Sequence, residues 1–366
     1  MYEIIKGIAN PKYDGCDYVI KLDDERKGTK IRLLQITDMQ YIDSCQMRTP
    51  DRLRPDEISA WKPENFDVLC SNHIRSLVAQ TKPDLIFVTG DIVYGSFDDK
   101  GTTFKYYCDF MDSLGVPWAP VFGNHDNESY AGVDYQCKLM EDSKNCVFVR
   151  GDVYGNGNYT VGVAVGDDVE LVLHMLDTNG CCGYDGTEEI RAEKLHKDQL
   201  ELMVSNYQHI KTAQGRDITS YVGYHIPTAE YIEAEAAKGY LTDDRAAYTI
   251  GVDVEAKDGD FGQKNSRLHS VAEVEGDLMD AYTKANISAS FVGHWHDINT
   301  CINYKGIKWV YGLKTGQYDS HVPGQLGGTL VTLDNGVTEI THVPSLVPYG
   351  PNPGLSPIYK GFFAEV

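Results

Sequence analysis

Two hydrophobic periods alternate along this chain. Short apolar runs such as Ile31–Thr37 (IRLLQIT) and Asp84–Thr89 (DLIFVT) have the composition of strands buried on both faces. Between them Phe66, Leu69, His73 or Ile74, and Leu77 recur at helical spacing, which predicts a helix from about Glu64 to Gln80. The pattern continues with a helix over Thr103–Leu114, a strand at Trp118–Phe122, and a hairpin of Tyr159–Val165 and Val169–Thr178 turning at Gly166–Asp168. A long amphipathic helix is predicted over Glu193–Ile210, a strand over Ser220–Ile226 and a helix over Val271–Ala285. Strands follow at Ser288–Val292, Ile302–Tyr311 and Gly328–Leu333. The proline-rich stretch Val343–Pro357 predicts an extended wrap over the surface, reaching to residue 366. With no repeat and no low-complexity linker, residues 1–366 are expected to form one domain with its core at about 30–335.

The residues that end the apolar runs carry the chemistry. The first run stops at Asp38-Met39-Gln40, the second at Gly90-Asp91 and the third at Gly123-Asn124-His125-Asp126. Later runs stop at Tyr224-His225 and at Gly293-His294-Trp295-His296. Taken singly, each is consistent with a turn, a helix cap or a satisfied strand-end histidine. In open α/β sheets, however, ligands bind outside the carboxyl ends of the strands, so strands packed together would pool all five clusters in one pocket. His294 and His296 stand two apart, and on an extended segment they would face the same way. Carboxylates mixed with carboxamide and imidazole suit Mn, Fe or Zn better than Mg or Ca. No cluster contains a cysteine, which argues against a structural zinc site.

Composition narrows the partners. Acidic residues outnumber basic ones 54 to 33, giving a net charge of −21, and such a surface repels phosphate backbones. Nine cysteines without framework spacing predict reduced thiols and a cytoplasmic protein. The N-terminus lacks the pattern of a signal peptide, and no apolar run reaches the roughly 18 residues of a membrane helix. Neither nucleic acid nor membrane is an expected partner, and the oligomeric state is open.

The blocks TDMQ, TGD, GNHD, GYHIP and GHWHD, spanning Thr37 to Asp297, resemble in order those of the calcineurin-like metallophosphoesterase superfamily. The segment WVYGLKTGQY (Trp309–Tyr318) brings the chain closer to purple-acid-phosphatase-like members. The resemblance implies an α/β fold of two facing β-sheets flanked by helices, a four-layer sandwich with its site at the strand ends. It implies the metal ligands Asp38, Gln40, Asp91, Asn124, His225, His294 and His296, with Asp91 bridging two divalent transition-metal ions, Mn first and Fe or Zn next. A water deprotonated between the ions would be the nucleophile. His125 would protonate the leaving oxygen, a task suited to a group whose pKa lies near working pH. Asp126, the other candidate catalytic residue, either orients His125 or closes the turn.

Two departures qualify the match. Many relatives place a histidine where this chain has Gln40, and Tyr94 stands three residues after Asp91, at the spacing of the tyrosinate ligand in purple enzymes. Gln40 is the preferred ligand, because a phenol must first lose a proton of pKa near 10; Tyr94 is then packing beside the site. The block GDIVYGS lacks the Asp and Arg that protein Ser/Thr phosphatases carry there, which disfavours a phosphoprotein phosphatase. The expected activity is hydrolysis of small phosphate monoesters or diesters. The D-x-Q block also resembles that of manganese-dependent nucleoside-diphosphate hydrolases, and a non-catalytic scaffold of the same fold is the third reading. His321, and the basic loop of Arg48, Arg52 and Arg54, are weaker candidates for substrate contact, while His73, His174, His196 and His209 have no partner motif.

Overall fold

The chain is described by a computed structural model over residues 2–7, 10–43, 60–61, 68–98, 100–180, 193–242, 247–265, 271–322 and 324–346. Thirteen strands build its two large sheets: β1 (Tyr2–Lys6), β2 (Tyr18–Leu22), β3 (Ile31–Ile36), β4 (Leu85–Thr89), β5 (Trp118–Val121), β6 (Tyr159–Val165), β7 (Asp168–Met175), β8 (Thr219–Gly223), β9 (Ile287–Val292), β10 (Cys301–Tyr304), β11 (Ile307–Tyr311), β12 (Gly327–Asp334) and β13 (Val337–Pro344). The eight-stranded sheet runs β1-β2-β6-β7-β8-β9-β11-β10 and the five-stranded sheet β13-β12-β3-β4-β5. β3, β4 and β5 are parallel, as are β7, β8, β9 and β11.

The sheets face each other. Phe87 of β4 meets Phe291 of β9 edge-on at 5.2 Å, and Phe291 meets Tyr221 of β8 at 5.8 Å, within a continuous apolar core. At the carboxyl end of this interface Gln35 Nε2 donates to Thr89 Oγ1 (2.8 Å) and to the Val292 carbonyl (3.0 Å), tying β3 to β4 in its own sheet and to β9 across the gap. Among the described residues the helices are α1 (Val68–Thr81), α2 (Thr102–Ser113), α3 (Val133–Asp142), α4 (Lys197–Gln214), α5 (Ala229–Lys238) and α6 (Leu278–Lys284). α1 packs on the five-stranded sheet through Leu69, Ile74 and Leu77. On the other side Leu200, Met203 and Tyr207 of α4 join Tyr231 of α5 and Tyr282 of α6 against Val222, Val292 and Trp309. The layers are therefore helix, sheet, sheet, helix, as the resemblance implied.

Three predicted elements change shape. The helix expected over Val271–Ala285 begins only at Leu278: Glu273 and Val274 pair with Lys194 and Leu195 as a short strand, Gly276 takes φ +113°, and Asp277 caps the helix by accepting from Asp280 N at 2.9 Å. The same pairing delays α4 to Lys197, where Gln199 Oε1 accepts from His196 N at 2.6 Å and starts the helix. The single strand expected over Ile302–Tyr311 is a hairpin, because Lys305 and Gly306 both adopt positive φ, the geometry of a two-residue turn matched to strand twist. Val343 and Pro344 finish β13, while the rest of the predicted wrap from residue 347 lies outside the described residues, as do Arg48, Arg52, Arg54 and the first turn of the predicted helix at 64–67. No described helix is long and apolar enough to cross a membrane, and the six described cysteines are free thiols.

Candidate metal centre

β3, β4 and β5 end in one sheet and β8 and β9 in the other, so their carboxyl ends meet at the same edge of the sandwich. Each strand delivers its polar cluster through a sharp turn. Asp38 (φ +52°), Gln40 (φ +50°), Asp91 (φ +51°) and His294 (φ +72°) all adopt the left-handed region. A non-glycine residue there is uncommon, and its cost persists only where the surroundings over-determine it. His294 and His296 therefore do not share a side by strand alternation, as expected from spacing; they follow a tight turn in which Trp295 N donates to the Gly293 carbonyl at 2.8 Å.

The turns bring carboxylates and imidazoles into contact. Asp38 Oδ1 lies 3.3 Å from His296 Nε2, and Asp91 Oδ1 lies 3.3 Å from His225 Nε2. Ligand atoms of Asp38, Asp91 and His296 lie within 4.8 Å of one another. The His225 and His294 rings sit 5.1 Å apart. Two glycines make this approach possible: a Cβ on Gly123 would run into the Asp91 carboxylate, and one on Gly293 into Thr37 Oγ1 and the Asp38 carboxylate.

The residues fit divalent cations. Ligand atoms bound about 2.1 Å from one cation stand about 3.0–3.4 Å apart, the separation seen in both carboxylate–imidazole pairs. His225 Nδ1 donates to the Thr89 carbonyl at 2.7 Å, so in the neutral ring that a cation would bind the lone pair is on Nε2, and that buried atom makes no hydrogen bond. Asn124 Oδ1 is also buried without a hydrogen bond. Other buried atoms away from the site, such as Gln35 Oε1 and His174 Nε2, are unbonded as well, so these two count only together with the carboxylate–imidazole contacts beside them.

The electrostatics agree. Burial raises Asp38, but the hydrogen bond to His296 and the charges of His225 and His296 outweigh it and hold the carboxyl at about 2. Burial lowers His225, yet Asp91 and Asp38 pull it up to about 9, so that nitrogen sits where positive charge is favoured. Burial, helped by nearby His225, holds His294 down to about 3, a neutral lone-pair donor. Metal ligands must be deprotonated, and paired buried carboxylates call for cations.

His125 lies beside this cluster, its backbone N–H donating to Asp91 Oδ1 at 2.9 Å. Its Nδ1 bonds Glu128 Oε2 at 2.7 Å. Burial lowers this imidazole, but Asp91 and Glu128 raise it to about 9. Of the two roles expected for Asp126, its contacts are those of closing the turn: the carboxylate accepts from Val93 N (2.9 Å) and Gly123 N (2.7 Å). The residue that holds His125 is Glu128, three positions on in a 3₁₀ turn, a spacing that brings the two side chains together. Tyr94 packs edge-on against His125 at 4.7 Å and against Trp61 and Phe97, as an aromatic wall.

Gln40, an expected ligand, has a buried partner: its Oε1 accepts from Lys314 Nζ at 2.6 Å. Lys314 Nζ also donates to the Asp38 carbonyl at 2.8 Å, a contact across 276 positions that no local pattern signals. A cleft of about 520 Å³ opens onto Asp91, His125, His294 and His296, with Trp295 and Asp319 in its wall; His321 also lines it. His174 is instead a buried strand residue bonded to Thr160 Oγ1 at 2.9 Å.

An uncharacterized protein of Schizosaccharomyces pombe is 28% identical over 59% of this chain and 40% of its own length. An Arabidopsis thaliana protein named probable inactive purple acid phosphatase 29 is 22% identical over 81% of this chain and 74% of its own. A purple acid phosphatase structure from yellow lupin superposes with TM-score 0.45 at 13% identity, covering 90% of this chain and 54% of that one. The chain thus spans less than half of the yeast relative and about half of the lupin protein. The model of the family described as calcineurin-like phosphoesterase matches residues 31–297, well over half of the sequence, and the protein belongs to that family.

Proposed function

We propose that the protein hydrolyses small phosphate esters at a dinuclear centre held by Asp38, Asp91, Asn124, His225, His294 and His296, with His125 as general acid. The observation that carries this reading is the cluster of Asp38, Asp91 and His296 with its two carboxylate–imidazole contacts at 3.3 Å, beside the unbonded His225 Nε2. When bound, two divalent cations neutralise the phosphoryl oxygens and make water nucleophilic at neutral pH. Mn is the first candidate for this oxygen-and-imidazole set, with Fe or Zn next.

The chain's own groups do the rest. Glu128 is acceptor-only when ionised, so His125 Nδ1 carries the proton of their bond and Nε2 is the atom that passes a proton to the leaving oxygen. Tyr94 fixes the plane of the His125 ring from one side. Asp126 holds the turn that presents Asn124 and His125 together.

Hydrolysis of p-nitrophenyl phosphate and bis-p-nitrophenyl phosphate with added Mn(II) tests the reading. Turnover of at least one substrate, lost together with metal in Asp91→Ala, is the expected result. Metal-loaded protein that turns over neither would be a non-catalytic scaffold. Hydrolysis of nucleoside-diphosphate conjugates is the alternative within the same site, and a screen that includes them decides between the two.

A further inference from the structure

Gln40 is held at both ends of its carboxamide. Lys314 Nζ donates to Oε1 at 2.6 Å, and Nε2 donates to Asp319 Oδ2 at 3.4 Å. The orientation is chemically determined: an ammonium only donates and a carboxylate only accepts, so the oxygen must face Lys314 and the nitrogen Asp319. All three side chains are buried. Lys314 reaches this place because residues 312–316 run along the turn after β3, with Thr315 N donating to the Thr37 carbonyl (2.9 Å) and Gly316 N to that of Asp38 (3.3 Å). Beyond Gln40 the contacts lead into the cleft: Asp319 and Ser320 line it, and Ser320 Oγ lies 3.2 Å from His296 Nδ1.

Resting on the metal-centre reading, we propose that Gln40 is not a metal ligand but the middle of a positioning bridge, Lys314–Gln40–Asp319. The bridge ties the Asp38 turn to the loop that orients His296. Lys314 keeps the carboxamide oxygen away from the cations by holding both it and the Asp38 carbonyl. The departure from histidine at position 40 then belongs with the lysine 274 positions later: an imidazole there would take the same hydrogen bond from Lys314 and also fail to reach a metal.

The test is metal binding, measured by elemental analysis after dialysis and by chelator competition with Mn(II) and Zn(II), with circular dichroism as the check on folding. Wild type and Gln40→Ala should each hold about two ions per chain, with affinities within about threefold of each other. Gln40→His should bind Zn(II) no more tightly than wild type. Gln40→His combined with Lys314→Met removes the donor that would hold the imidazole, so Zn(II) binding should tighten by about tenfold or more, a non-additive result. Loss of one ion in Gln40→Ala, or tighter Zn(II) binding in Gln40→His alone, overturns the bridge; neither variant touches Lys314, so both remain decisive if the double variant misfolds. Wild type that binds no metal would instead overturn the metal centre itself.

Discussion

His125, Glu128 and Asp126 lie within four positions of one another, yet the structure gives each a different task, and substitutions should separate them. His125→Ala should keep its metal and lose turnover by roughly 10²–10⁴, with a smaller loss for substrates whose leaving group needs no proton. Glu128→Gln keeps a partner on Nδ1 but removes the charge that helps hold His125 protonated, and should cost about tenfold in turnover with metal content unchanged. Asp126→Ala should act on stability, since it strands two buried backbone N–H groups, Val93 and Gly123, at roughly 1–3 kcal/mol each. Urea unfolding of the three variants would show whether the loss falls on Asp126→Ala alone. The sequence made His125 legible through its GNHD block but left Asp126 ambiguous, because a turn-closing and a ring-orienting aspartate occupy the same position. Gln40 shows a different limit of local reading. Its partner Lys314 is brought to it only by the fold.

At the level of strands and turns, most of the site was readable because its elements are buried on both faces and end abruptly. β3, β4, β5, β8 and β9 all lie within a residue or three of the runs that predicted them, and every predicted ligand block follows one of their carboxyl ends. What spacing missed was turn geometry: alternation was assumed for His294/His296, whereas a left-handed His294 builds that turn, as left-handed Asp38 and Gln40 build the first one. The helix expected over Val271–Ala285 failed because strand pairing at Glu273–Val274 took its first half. These turns depend on close approach, which makes Gly293 a direct probe. In Gly293→Ala the new methyl meets Thr37 Oγ1 and the Asp38 carboxylate, so the carboxylate must shift. Metal affinity should fall by about 10–100-fold, the usual cost of disturbing what orients a ligand, while far-ultraviolet circular dichroism stays unchanged. Unaltered affinity would show that the Asp38 turn tolerates the shift.

Across the whole molecule, buried neutral histidines set the response to acid. Burial holds His73 and His342 down to about 4 and His174 down to about 3, all below the ordinary 6.5. The unfolded chain therefore takes up these protons first: their contribution to stability is complete above pH 6.5 and is lost as pH falls towards 4 or 3. Each costs roughly 1.4 kcal/mol per pH unit inside that window. Urea unfolding of metal-free protein at pH 7, 6, 5 and 4.5 should show this loss, and His174→Leu should flatten the slope by about one proton. An unchanged slope would assign the acid response to other groups. The fold's larger consequence is that two facing sheets pool candidate ligands from five strands beside buried carboxylates whose charge requires compensation. The most direct measurement is the metal content of the purified protein after mild loading with Mn(II), read by elemental analysis against protein concentration. About two ions per chain are expected, falling in His294→Ala and Asp91→Ala but not in His125→Ala. A reproducible content of one or none, or loss of metal from His125→Ala, would contradict this expectation.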